Sequence, residues 1–211
     1  MFKSINKVVK AIIYWDVFIN SAFGILNPVF AIFIIQKITL GSAAKGAEVV
    51  GLATLIYWVV KSFLQLPIGK YLDKNHGEKD DFWFMIIGTL LTGFVPFGYL
   101  FSIQPWHIYT LQLLQAVGMS MVIPSSYAIF TRHIDKGKEA FEWSLDSTLL
   151  GVGVGIAGAV GGFIATTLNF QMIFILAGIF TLFSAALLLL IKEDMSTVSH
   201  FIHKIPPSRP I

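Results

Sequence analysis

The sequence predicts an all-α membrane protein of six transmembrane helices with both termini in the cytoplasm. Three observations predict it. Only 13% of the 211 residues are charged and 55% are hydrophobic, where a soluble domain carries about 25% charged residues. Apolar stretches of roughly eighteen residues or more recur along the chain, each able to cross a ~30 Å hydrocarbon core as a helix. Lys and Arg gather in alternate connections, which is how orientation is written into multi-pass proteins.

The spans read as residues 11–36, 47–71, 82–102, 108–132, 144–168 and 171–191, forming one transmembrane domain over 1–191. The segment 192–211, "KEDMSTVSHFIHKIPPSRPI", is polar and Pro-containing, the composition of a disordered cytoplasmic tail. The first stretch is interrupted by Asp16, Asn20 and Asn27 and is too long for a cleavable signal peptide. Lys3, Lys7 and Lys10 precede span one, and Lys70, Lys74 and Lys79 flank the second connection. Arg132, Lys136 and Lys138 flank the fourth, and Lys192, Lys204 and Arg209 follow span six. The intervening connections hold only Lys37 and Lys45, so the first set faces the cytoplasm.

Each span then shows a face, because successive helical residues advance by about 100°. In span one, Asp16, Asn20 and Asn27 fall within about 40° of one another. Span two aligns Thr54, Tyr57, Trp58, Lys61 and Gln65, and span four aligns Gln112, Gln115 and Ser126 with Met119 and Ile123. Spans three and six carry almost no polar side chains beyond Thr and Ser. Spans one, two and four are therefore expected to look inward, and three and six to face lipid. Span five repeats Gly151, Gly155, Gly158 and Gly162, with Gly153 and Gly161 beside them, a spacing that lets another helix approach the backbone closely.

Asp16 and Lys61 are the expected centre of function. A charge at mid-membrane costs about 2.5–3.5 kcal/mol on insertion scales, so such residues tend to be paired and functional. Asp16 lies about 9 Å beyond Lys10, and Lys61 about 13 Å in from Lys70 on the same side. Similar depth on consecutive helices predicts that the two pair or share a polar cavity, either as a coupling switch or as a structural ion pair. Asp16 is the candidate proton or cation carrier, Lys61 suits an anionic group, and Trp15, Tyr57 and Trp58 suit a ring. Glu48 and Asp146 are read as lying at span ends.

Several classes are excluded or unsupported. There is no cysteine, hence no disulfide framework and no thiol catalysis. No Gly-x-Ser-x-Gly, His-Glu-x-x-His or phosphate-cradling glycine loop is present, so no catalytic residue, cofactor or metal site is expected. His200 and His203 stand without carboxylate company, too little for a metal site. A net charge of +3, spread along membrane connections, points to no nucleic acid.

The loop "LPIGKYLDKNHGEKDDFW" carries a further signal. Gly69, Asp73, Lys74 and Gly77 resemble the Gly-x-x-x-Asp-(Arg/Lys)-x-Gly pattern of the major facilitator superfamily, with one extra residue before Gly77. "QLLQAVG" resembles that family's fourth-helix pattern, with Gln112 where an Arg stands in the family. Gly153, Ala157, Gly158, Gly161 and Gly162 resemble its fifth-helix pattern, with Gly replacing the Pro associated with antiporters. The resemblance covers residues 11–191 and implies half of a major-facilitator fold, a 3+3 inverted repeat. In the family the loop Asp caps a helix end and pairs with a cytoplasmic Arg, latching the outward-open state. Here that implies Asp73 with Arg132, or with a helix N-terminus of the other half, although the loop also reads as a plain solvated turn.

Family members carry twelve helices in two halves, and this sequence carries six. The resemblance therefore implies a transporter of a small solute, with protons as a coupling ion, acting as a parallel homodimer. A split transporter needing a second six-helix chain, a truncated product, and a non-transporting membrane scaffold or assembly factor remain alternatives. Expected partners are membrane lipid, the solute and a second six-helix unit.

Overall fold

The computed structural model describes residues 5–75, 78–167, 169–190 and 192. Gly77, His200, His203 and nearly all of the expected tail lie outside them. Six helices long and apolar enough to cross a membrane are present among the described residues, one for each expected span. They run α1 Lys7–Phe33, α2 Ala43–Asn75, α3 Glu78–Tyr99, α4 Pro105–His133, α5 Glu139–Thr167 and α6 Phe170–Leu189, and α1 continues into a π-helical turn at Ile34–Ile38.

Local chemistry sets several boundaries. Asn6 caps α1 by accepting from Val8 N at 2.8 Å, and Asn169 caps α6 by accepting from Met172 N. Gln104 and His107 form a capping box at α4, with Pro105 in its first turn, where a missing N–H costs nothing. Glu78, Asp80 and Asp81 occupy the first turn of α3, and Arg132 and His133 the last turn of α4, both favoured by the helix dipoles. Pro28, Pro67, Pro96 and Pro124 lie inside helices, as membrane helices tolerate when neighbours re-satisfy the freed carbonyls.

Packing does not follow chain order. α1 packs on α5 and α6, α4 packs on α2 and α3, and α3 packs on α6, whereas consecutive α1 and α2 barely touch. This places α2 and α5 at the two edges. Within the apolar window of each span, 56% of α3 and 44% of α6 are buried, against 17% of α2 and 11% of α5. The expectation that α3 and α6 face lipid is thus corrected. Each turns one apolar stripe outward, Trp83, Ile87, Leu90 and Phe94 on α3 and Met172, Ile179 and Phe183 on α6. Scarcity of polar side chains reports a dry environment, and a protein interior is as dry as lipid.

Close contact between small residues holds these layers, since lipid tails supply no hydrophobic drive for helix association. A Cβ at Gly88 of α3 would lie 2.5 Å from Gly118 O of α4. One at Gly24 of α1 would lie 2.8 Å from Val154 O of α5, and one at Gly161 would overlap the Ile25 backbone. Two apolar clusters fill the remainder. The first, around Ile13, Trp15, Met85 and Phe130, lies toward the end where α1 begins, here called the N-terminal end. The second, around Val29, Phe33, Tyr99 and Phe174, lies toward the opposite end.

Candidate functional site: a carboxylate on the open face of α1

Asp16 sits on α1, half-buried. Asn20, one turn on, donates from Nδ2 to Asp16 Oδ1 at 2.8 Å and to the Asp16 carbonyl at 2.9 Å. The amide therefore holds the carboxylate in place on its own helix. Asn27 continues the same face and is exposed. The polar stripe of α1 runs from half-buried Asp16 and Asn20 to exposed Asn27, with its far end the most accessible.

The expected partner is elsewhere. No ion pair joins Asp16 to Lys61 among the described residues, because α1 and α2 scarcely meet. Lys61 is buried and places its ammonium 3.9 Å from the Trp58 ring centroid and 5.5 Å from that of Tyr57, satisfying its charge on its own helix. The residue within electrostatic reach of Asp16 is Asp146 of α5. Its Oδ1 is buried with no hydrogen-bond partner among the described residues. Asp146 was read as a span-end residue, but α5 begins at Glu139, which puts Asp146 about 10 Å along the helix. Glu139 and Glu142 in the first turn of α5 are a helix-start signal, whereas apolarity alone sets the start too late.

The other expected cavity residues divide. Gln112 donates from Nε2 to the Tyr99 hydroxyl at 3.1 Å, which ties α4 to α3. Gln115 and Tyr57 are half-buried. Trp15 is unavailable to a ligand: it is 2% exposed and donates to Thr89 Oγ1.

At the N-terminal end, Arg132 is ion-paired with the fully buried Asp81 at the start of α3, and no ion pair joins it to Asp73. Asp73 and Arg132 do line one cleft of about 430 Å³ with Gly69, Pro124, Tyr127 and Thr131. Asp73 and Lys74 are exposed. A Cβ at Gly69 would meet Pro124 at an ordinary 3.7 Å, so sterics do not demand glycine there. Around Asp81 lies a cluster that sequence reading missed. His133 Nδ1 is 3.5 Å from Glu78 Oε1, and buried Glu142 of α5 accepts from Asp135 N at 3.2 Å. In the connecting loop, the Lys138 ammonium 2.9 Å from Asp135 holds that carboxyl below the usual carboxylate range. The available signal was the i, i+3 spacing of Glu78 and Asp81, which puts both on one face of α3.

The glycines of α5 sort into two faces. Gly153, Ala157 and Gly161 pack on α1, while Gly151, Gly155 and Gly162 have nothing within 4 Å of an added Cβ and Gly158 lies between, with Gly24 O at 3.6 Å. The intramolecular contact thus uses the family-like face, and most of the stripe singled out by its period stands open.

Comparison with curated proteins finds no match. A model of one family does match, over residues 16–208, and its description is the Major Facilitator Superfamily. Six membrane-crossing helices agree with it. The chain is a multi-pass integral membrane protein that belongs to the Major Facilitator Superfamily, a family of membrane transporters.

Proposed function

We propose that the chain moves a small solute by alternating access, coupled to protons through Asp16, with both termini cytoplasmic and two copies working as a parallel homodimer. The observation that carries the reading is the setting of Asp16. A charge inside a membrane is usually paired with an opposite charge or with backbone, or else lines a functional path. Asp16 has an amide donor and a second carboxylate near it, on a face that is not closed off by the fold. Such a group is placed to take up and release a proton or cation.

The distribution of Lys and Arg supports the orientation. The packing supports a 3+3 repeat: exchanging each helix with the one three places on turns the α1 contacts with α5 and α6 into the α4 contacts with α2 and α3. Exposed Leu55, Val59 and Phe63 on α2 and Val152, Ile156 and Val160 on α5, with the open Gly151, Gly155 and Gly162, supply the two edges on which a second unit would seat. Arg132 being engaged with Asp81 leaves exposed Asp73 to cap a helix end of that unit.

The test is flux of a solute panel in proteoliposomes with and without a proton gradient, alongside cross-linking of Gly155→Cys in this cysteine-free chain. The reading expects gradient-dependent uptake of at least one solute and a disulfide dimer. Uptake by a monodisperse monomer in nanodiscs overturns the dimer, and no flux of any solute returns the chain to a scaffold role.

A further inference from the structure

At the end of the bundle away from Asp16, a cavity of about 370 Å³ opens between the ends of α1, α3 and α6. That volume is at the small end of the ~300–1,000 Å³ usual for ligand sites. Its inner wall is a packed aromatic cluster, with Phe33, Tyr99 and Phe174 only 4%, 2% and 1% exposed. The Phe33 ring lies 4.8 Å from that of Phe174, in edge-to-face contact, and the Tyr99 ring lies 5.4 Å from Phe174. Its lip is cationic: Lys37 lines it, and no carboxylate does.

Lys37 is exposed and makes no ion pair among the described residues. It stands in the π-helical turn Ile34–Ile38, which Thr39 secures by donating its hydroxyl to Ser42 O at 2.9 Å. The other lysine of this end, Lys45, lines a separate cleft together with Glu48. The two cations are thus in different settings, one beside an acid and one lining a largely apolar cavity.

Depth distinguishes a lipid from a soluble anion. α3 ends at Tyr99 and α6 begins at Phe170, so the cavity lies where the apolar spans stop, at headgroup level. Ile103 at its rim is 71% exposed, an apolar group that suits an acyl chain and would be wasted on a solvated ion.

We infer that this cavity binds the headgroup of an anionic membrane lipid, with Lys37 on the phosphate and the more accessible Leu100, Ile103 and Phe170 against the glycerol and first acyl carbons. A cation near an anionic lipid surface contributes about fivefold in affinity, so the site is selective without being permanently filled.

The experiment uses the full chain in nanodiscs of equal phosphatidylglycerol and phosphatidylcholine, with retained lipid counted by native mass spectrometry. Wild type should retain phosphatidylglycerol in preference. Lys37→Gln should lower that preference about fivefold, and Lys45→Gln should leave it unchanged. Both lysines are exposed, so neither change threatens folding. Equal retention of the two lipids by wild type, or an undiminished preference in Lys37→Gln, overturns the inference. A third arm adds glycerol 1-phosphate to the lipid-free protein. Thermal protection there, lost in Lys37→Gln, together with equal retention of the two lipids by wild type, would assign the site to a free phosphate and remove the lipid.

Discussion

Lys61 carries a charge buried on α2. Charges buried in a membrane span tend to be paired, and an acid on a neighbouring span is the expected partner. The partner of Lys61 is nevertheless the Trp58 ring three residues back, and a desolvated cation–π contact is worth about 2 kcal/mol, enough to offset much of the insertion cost. The pairing with Asp16 was inferred from adjacency in sequence, which the helix order does not respect. A consequence follows for stability. Asp16→Asn and Lys61→Met should act independently, with the double variant equal to the sum of the singles within about 0.5 kcal/mol in chemical unfolding. Recovery of stability in the double variant would mean that the two charges do meet. The Arg132–Asp81 pair should behave in the opposite way. Arg132→Ala strands the fully buried Asp81 carboxylate, and breaking such a pair costs up to about 3–5 kcal/mol, discounted here because the Arg132 side chain is 29% exposed. Combining it with Asp81→Asn should return much of the loss, whereas Asp73→Asn alone should leave stability within about 0.5 kcal/mol of wild type. A destabilising Asp73→Asn would show that the loop is a structural clamp.

Among the elements, α5 was the most legible and the most ambiguous at once. The period of its glycines was visible in sequence, but two stripes of small residues share the helix, and periodicity says only that something comes close. Which stripe meets α1 depends on the rotation of α5 about its axis, which Val17, Ser21 and Ile25 of α1 determine through contacts with Gly153 and Gly161. The difference is testable. Gly161→Ala should destabilise the fold by about 1–3 kcal/mol, because the overlap is with backbone that cannot yield. Gly155→Ala should be neutral or stabilising by up to about 1 kcal/mol, since it meets open space and gains helix propensity. Gly155→Leu should leave the fold intact and weaken self-association, with Ile179→Ala on the outward stripe of α6 as control. Gly88 would not serve as that control, because its close approach to Gly118 makes any larger residue disruptive to α3–α4 packing. Equal thermal stabilities of Gly161→Ala and Gly155→Ala would contradict the assignment of the two faces.

For the molecule as a whole, composition and span length were sufficient to give six membrane helices, since hydrocarbon thickness leaves little choice of element. The arrangement of those helices was not legible. Apolar stretches carry no label for their neighbours, and the information sits in close approaches such as Gly24 to Val154 and Gly88 to Gly118 that become meaningful only in pairs. The candidate site was legible to the same degree. Asp16 and Asn20 announce themselves by polarity at helical spacing, while Asp146 was hidden by the misplaced start of α5 and the Glu78–Asp81–Arg132–His133 cluster by its resemblance to a charged loop.

The central claim is that Asp16 couples transport to a gradient. With a transported solute in hand, two rates measured on the same proteoliposomes test it directly: uptake driven by a proton gradient, and exchange of labelled for unlabelled solute without one. Alternating access needs the carboxylate to change its proton only in the first. Asp16→Asn should therefore abolish gradient-driven accumulation and retain exchange at a rate close to wild type. Full accumulation by Asp16→Asn would contradict the claim and take Asp16 out of the coupling mechanism.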